Sequence, residues 1–106
     1  MLVLGIDPGS TSTGWGVVRL DRGRYHLVGA GCVRTRSDDP MAGRLVAIHG
    51  GVAAVIAEHR PDTIAIEQIF AHRSAESALR LGQARGVALL AAGQAGYEPV
   101  AYNPSV

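Results

Sequence analysis

The chain has 106 residues, a formal charge of +1 from ten basic and nine acidic groups, and one cysteine. That length gives one domain with one modest core, burying roughly two-thirds of the unfolded surface. The near-neutral charge does not declare a nucleic-acid binder, the single Cys32 excludes an internal disulfide, and no apolar stretch is expected to reach the roughly 20 residues that span a bilayer. All ten basic residues are arginine, which is read mainly as compositional bias, although guanidinium also suits bidentate phosphate contacts. No charged-then-apolar leader precedes the first apolar run, so the simplest expectation is a cytosolic protein without a membrane partner.

Leu2 to Ile6 is a short apolar run that reads as a buried strand ended by the Pro8-Gly9 turn. Gly14 to Leu20 and Tyr25 to Thr35 read as two further strands, joined by Asp21-Arg22-Gly23-Arg24 with Gly where positive φ is needed. Asp38-Asp39-Pro40 supplies a cap candidate with Pro at the first helical position, and Met41, Leu45, Ile48, Val52, Val55 and Ile56 recur at helical spacing. This amphipathic helix ends before Pro61, and Gly50-Gly51 inside it points to a close approach to the sheet, since each glycine costs about 1 kcal/mol relative to Ala. Asp62 to Gln68 is a fourth strand, a second helix runs from near Ser74 to about Gly96, and Glu98 to Tyr102 is a fifth strand.

Two acids each end an apolar run: Asp7 in Gly5-Ile6-Asp7-Pro8-Gly9-Ser10, and Glu67 in Ile64-Ala65-Ile66-Glu67-Gln68-Ile69-Phe70. Strand alternation puts Val3, Gly5 and Asp7 on one face and Thr63, Ala65 and Glu67 on one face. If the two strands are neighbours, roughly 4.8 Å apart, both carboxylates reach a common divalent cation, with small residues behind them leaving an open groove. In the second helix, Ala75, Leu79, Gly82, Gly86, Leu89 or Leu90, and Gly93 form a small-residue stripe. Such stripes admit another backbone, either this chain's own sheet or a second copy's helix, which would make Gly82 and Gly86 a dimer interface.

Three antiparallel strands, a helix, a parallel strand, a helix and a last strand describe the ribonuclease H-like architecture: an α/β fold with a mixed five-stranded sheet flanked by helices, here one domain over residues 1–106. Gly-Ile-Asp-Pro-Gly-Ser at 5–10, Ile-Glu-Gln-Ile-Phe at 66–70 and Ser-Ala-Leu-Arg-Leu-Gly-Gln-Ala-Arg-Gly at 77–86 resemble the RuvC family of Holliday-junction resolvases. The resemblance covers essentially the whole chain. It implies a homodimeric endonuclease that nicks two strands of like polarity in four-way DNA junctions, using Mg²⁺ or Mn²⁺ held by acidic residues, alongside the RuvA and RuvB branch-migration machinery. Asp7 and Glu67 match the first two of the family's four catalytic carboxylates, Asp7 as the shared metal ligand. Phe70 resembles the family's base-stacking aromatic. His72, Arg73 and Arg80 are candidates for phosphate contacts, as are Ser10 and Thr11 with Ser12 and Thr13, which otherwise close the first turn.

The family's other two acids form a closely spaced pair on a later helix, which this sequence does not supply. The chain is therefore expected to be C-terminally incomplete, with weak metal binding and little or no cleavage. Two rival classes remain. The Asp-Pro-Gly-Ser-Thr turn also resembles the first phosphate loop of sugar and acetate kinases with an actin-like fold, although 106 residues leave no room for their second domain and adenosine site. The other rival is a non-catalytic DNA-binding or dimerisation module.

Overall fold

Alternation of Leu2, Leu4 and Ile6 with Val3, Gly5 and Asp7 builds a strand, β1 (Leu2–Asp7), whose two faces meet different surroundings. The structure is a computed structural model that describes residues 1–68 and 74–103. β1 pairs antiparallel with β2 (Ser12–Asp21), which pairs antiparallel with β3 (Arg24–Arg34). The tight β2–β3 turn takes two successive left-handed residues, Arg22 at φ 52° and Gly23 at φ 76°. Gly23 adopts this shape freely, whereas Arg22 holds it because a two-residue hairpin of this hand requires it.

Helix α1 (Met41–His59) begins one residue later than the Asp-Asp-Pro signal suggests. Pro40 is extended, at φ −55° and ψ 141°, and itself occupies the cap position, with no side-chain cap bond. Asp38 instead accepts from the Arg36 guanidinium. Arg60 ends the helix in the left-handed region, its N–H donating to the Ile56 carbonyl, ahead of Pro61. Contrary to the sequence expectation, α1 is long and apolar enough by composition to cross a bilayer. Its Ile48, Val52, Val55 and Ile56 are instead buried against the sheet.

β4 (Thr63–Glu67) returns parallel to β1, helix α2 (Ala75–Gln94) follows, and β5 (Val100–Tyr102) adds parallel to β4. The sheet order is β3-β2-β1-β4-β5, the mixed arrangement expected: three antiparallel strands, then parallel ones. Asp62 sets the β1–β4 register: its N–H donates to the Leu2 carbonyl at 2.9 Å, while its carboxylate accepts from the Leu2 N–H at 2.6 Å. Ser74 caps α2 by accepting from the Ser77 N–H at 3.1 Å. The Tyr97 hydroxyl ties the approach to β5 onto the Pro61 carbonyl at 2.6 Å.

Leu4, Ile6, Ile64 and Ile66 are fully buried on the helix-facing side, each stabilising by about 1.5–3 kcal/mol. From α2, Ala84, Ala88, Ala91 and Ala92 meet this core. Gly82, Gly86 and Gly93 face away, with nothing within 4 Å of a side-chain position, so the glycine stripe does not pack on this chain's own sheet. The other sheet face carries an open groove of about 690 Å³, lined among others by Val3, Gly5, Asp7, Val18 and Tyr102. Small residues at Gly5 and Ala65 keep the floor beneath the two acids low, as the sequence pattern anticipates.

The two helical glycines prove unlike. A side chain at Gly51 would run into the Val33 methyls of β3, whereas Gly50 is exposed with nothing near it. Gly50→Ala should therefore stabilise by about 1 kcal/mol through helix propensity. Gly51→Ala should instead destabilise by about 1–2 kcal/mol, because overpacking against β3 exceeds that gain. Urea unfolding midpoints of the two variants, moving in opposite directions, would verify the contact.

Candidate active site

Asp7 ends β1, Glu67 ends β4 and Tyr102 ends β5, on three successive parallel strands of the sheet. The pairing Val3↔Thr63 and Gly5↔Ala65 carries the register forward, so that Asp7 and Glu67 share a face. Glu67 in turn pairs with Tyr102 across the β4–β5 ladder. On the other flank Asp7 pairs with Gly14, which has no side chain to crowd the carboxylate. The expected meeting of the two acids is thus realised by backbone pairing, and β5 adds a phenol beside them.

The electrostatics follow from that crowding. The Glu67 carboxyl is raised from its ordinary 4.5 to about 7, first by a hydrogen bond with Asp7, then by burial and by the repulsion of the Asp7 charge. The Tyr102 phenol is also raised, first by burial, then by the charges of Glu67 and Asp7. Placing Glu67 this close to another acid favours its protonated form, the usual result of setting like charges side by side. A divalent cation satisfies such a pair better than a proton does. With oxygen donors alone, the pair fits a hard ion such as Mg²⁺ or Mn²⁺. Among the described residues no group of three or more His, Cys, Asp or Glu side chains is placed to hold a metal ion.

The turn after Asp7 is closed from several sides. Thr13 is fully buried, and its hydroxyl donates to the Gly9 carbonyl at 2.8 Å while accepting from the Gly9 N–H at 3.2 Å. The Ser10 carbonyl accepts from Arg44 and from the Thr35 hydroxyl, and the Thr35 N–H donates to the Thr11 carbonyl at 2.9 Å. Thr11 and Ser12, later in the turn that follows Asp7, remain exposed. Arg80 forms an i,i+4 ion pair with Glu76 at 2.7 Å, an exposed contact that contributes little to stability and releases readily. Phe70, His72 and Arg73 lie outside the described residues.

The sequence reading missed three contributors. Tyr102 ends its strand as Asp7 and Glu67 do, which is a usable signal. Arg85 of α2 donates to the Glu67 carbonyl at 3.1 Å, and its presence in the Gln-Ala-Arg-Gly run gave no role. Arg44 sits one turn before Ile48 on the buried stripe of α1, where a cation is out of place.

A mixed sheet of this order, with carboxylates side by side at the ends of its first and fourth strands, defines a ribonuclease H-like domain. The family model described as crossover junction endodeoxyribonuclease RuvC matches residues 3–106, and the chain belongs to this family. Among curated relatives, the RuvC crossover junction endodeoxyribonuclease of Pelotomaculum thermopropionicum is 44% identical, covering 98% of this chain and 63% of the relative. That of Ectopseudomonas mendocina is 55% identical, covering 96% of this chain and 58% of the relative. The solved T. thermophilus RuvC in complex with Holliday junction substrate superposes with a TM-score of 0.92 at 37% identity, over 99% of this chain and 67% of that one. The chain thus spans about half to two-thirds of the length of the curated relatives it matches. Family membership sets aside the actin-like kinase reading.

The raised Glu67 carboxyl makes a pH prediction. Because the folded Glu67 carboxyl lies near 7 and the unfolded one near 4.5, the folded state binds the extra proton between these values. The stability it contributes is fully present below 4.5 and lost as pH rises through about 7. In chelator, Glu67→Gln should remove this loss, so that its melting temperature exceeds that of the unmodified chain increasingly from pH 5 to 8. Parallel melting curves across that range would contradict the close pairing of Asp7 and Glu67.

Proposed function

We propose that this chain is the nuclease core of a structure-selective endonuclease that resolves four-way DNA junctions by symmetric nicking of two strands of like polarity. The observation that carries the reading is the Asp7–Glu67 pair, two acids at the ends of adjacent parallel strands and on one face of the sheet, where a cation would bridge them. Asp7 and Glu67 would hold Mg²⁺ or Mn²⁺, Asp7 as the shared ligand, and the bound ion supplies Lewis acidity toward the phosphate and a more acidic water. The protein's part is to give up the Glu67 proton, to present the carboxylates at fixed spacing, and to receive backbone phosphates on the Ser10–Thr13 turn. Phe70 would stack on an unpaired base, with His72, Arg73 and Arg80 contacting phosphates nearby.

Symmetric nicking requires two copies. The exposed α2 stripe supports a homodimer: Gly82 and Gly86 leave open space, and Leu79 and Leu90 beside them are 63% and 53% exposed. Recombination and repair of chromosomal DNA place such an enzyme in the cytoplasm, in reach of the RuvA and RuvB complex. With two carboxylates brought together at the site among the described residues, the 106-residue chain is expected to bind junctions and to cleave them little, as a non-catalytic binding module would.

Incubation with a synthetic four-way junction and a matched linear duplex, each with and without Mg²⁺, tests both parts. Selective retention of the junction, with few or no nicks, is expected. Equal retention of duplex and junction would refute structure selectivity, and steep, saturable Mg²⁺-dependent nicking would show that two acids suffice. For the dimer, Gly86→Leu should yield monomers in size-exclusion chromatography with light scattering. A dimer that survives this change would place the seam elsewhere.

A further inference from the structure

Arg44 is 7% exposed, and no carboxylate pairs with it among the described residues. Its Nε and Nη2 both donate to one neutral acceptor, the Ser10 carbonyl, at 3.2 and 3.0 Å. The Thr35 hydroxyl donates to the same oxygen at 2.5 Å. A buried cation facing a neutral acceptor recovers little of its lost hydration, and an apolar side chain of similar volume at such a place often leaves stability unchanged or raises it. Folding alone therefore does not account for an arginine on the buried stripe of α1.

What the guanidinium does achieve is local. It reaches 34 residues back along the chain and fixes the middle of the turn that follows Asp7. Three donors on one oxygen polarise the Ser10–Thr11 peptide, strengthening its N–H as a donor. The Thr13–Gly9 bonds close the base of the same turn, and Thr11 and Ser12 are left exposed at its crest. We propose that Arg44 is a positioning residue: acting through the Ser10 carbonyl, it holds the turn over residues 8–13 in the shape that receives a DNA backbone phosphate beside Asp7. This rests on the nuclease reading of the site and adds to it the part that fixes the phosphate-facing turn in advance of binding. Preorganisation of this kind raises affinity by lowering the ordering cost on association.

The test uses the 106-residue chain in chelator, so that its readouts are independent of cleavage. Arg44→Met removes the hold with little change in volume, Arg44→Lys keeps the charge with a less directed donor, and Thr35→Val removes the other donor to Ser10. Junction affinity by fluorescence anisotropy should fall about tenfold for Arg44→Met and about threefold for Arg44→Lys and Thr35→Val. Amide hydrogen exchange should quicken at residues 9–12 in the same order, while core amides of β1 and β4 keep their protection. The salt dependence of binding should keep its slope, because the guanidinium acts through Ser10; a slope smaller by about one would make Arg44 a direct phosphate contact and overturn the positioning role. Unchanged affinity and exchange in a folded Arg44→Met chain would also overturn it, leaving junction binding intact. If the unmodified chain binds duplex and junction alike, junction selectivity falls, while a tenfold loss of duplex affinity in Arg44→Met still supports the hold. No DNA binding at all by the unmodified chain overturns both.

Discussion

The site depends on one register, the parallel pairing of β1 with β4. Asp62 fixes it at the entry, where its backbone and carboxylate both engage Leu2, and the ladder then runs Val3↔Thr63, Leu4↔Ile64, Gly5↔Ala65 and Ile6↔Ile66. A slip of one residue would exchange the faces of β4, turning Glu67 toward the helices and Ile66 out toward the groove. Such a slip would expose the fully buried Ile64 and Ile66 and bury a carboxylate, and these penalties act together. The pattern that makes the core is therefore also what places the acids side by side. The closeness that follows appears as the raised Glu67 carboxyl, through its hydrogen bond with Asp7 first, then burial and the Asp7 charge.

Each helix covering the sheet also sends an arginine to a backbone carbonyl at the edge of the site. Arg44 of α1 reaches the Ser10 carbonyl and Arg85 of α2 reaches the Glu67 carbonyl at 3.1 Å. Strand ends are the places where ladder hydrogen bonds stop and carbonyls need other partners. A guanidinium on a long stem serves that need from a distance while its methylenes remain within the apolar layer. The two acids are thus flanked by backbone held from the helical side, while their carboxylates face the opposite, open side.

Much of this was legible in the sequence, for reasons that differ by element. The strands of the hairpin and the periodic α1 follow from alternation and from three- and four-residue spacing, and their ends fall within two residues of the expected ones. The meeting of Asp7 and Glu67 followed from the face each occupies, because parity along a strand survives small errors in its ends. The α1 cap did not follow, since Pro40 stays extended and displaces Asp39 from the capping role. Gly50 and Gly51 looked equivalent in the sequence but lie on different sides of α1, and only Gly51 meets β3. Tyr102 and Arg44 left signals in the pattern, a strand end and a cation on the buried stripe of α1, whereas Arg85 was missed because its role lies in a contact between elements far apart in sequence, which one-dimensional periodicity does not encode. The stripe of α2 was seen, but its direction was not. Alanines and glycines both read as small, and it is the alanines that bury the more apolar surface and so take the sheet.

The groove face and the α2 stripe show why a site of this kind leaves apolar surface exposed. A sheet with helices on one side presents its other side as a platform, and here that platform carries Val3, Val18 and Tyr102 next to the acids. Covering it closely with large side chains would stabilise the domain but would close the groove in front of the carboxylates. The small residues at Gly5, Gly14 and Ala65 settle that conflict in favour of access. They lower the floor below the carboxylates and lose the burial that larger residues would have supplied. Stability must then come from the opposite layer, where Leu4, Ile6, Ile64 and Ile66 are packed to full burial. The division of labour between the two faces of one sheet is what allows two mutually repelling acids to be held at fixed spacing in a domain with so modest a core.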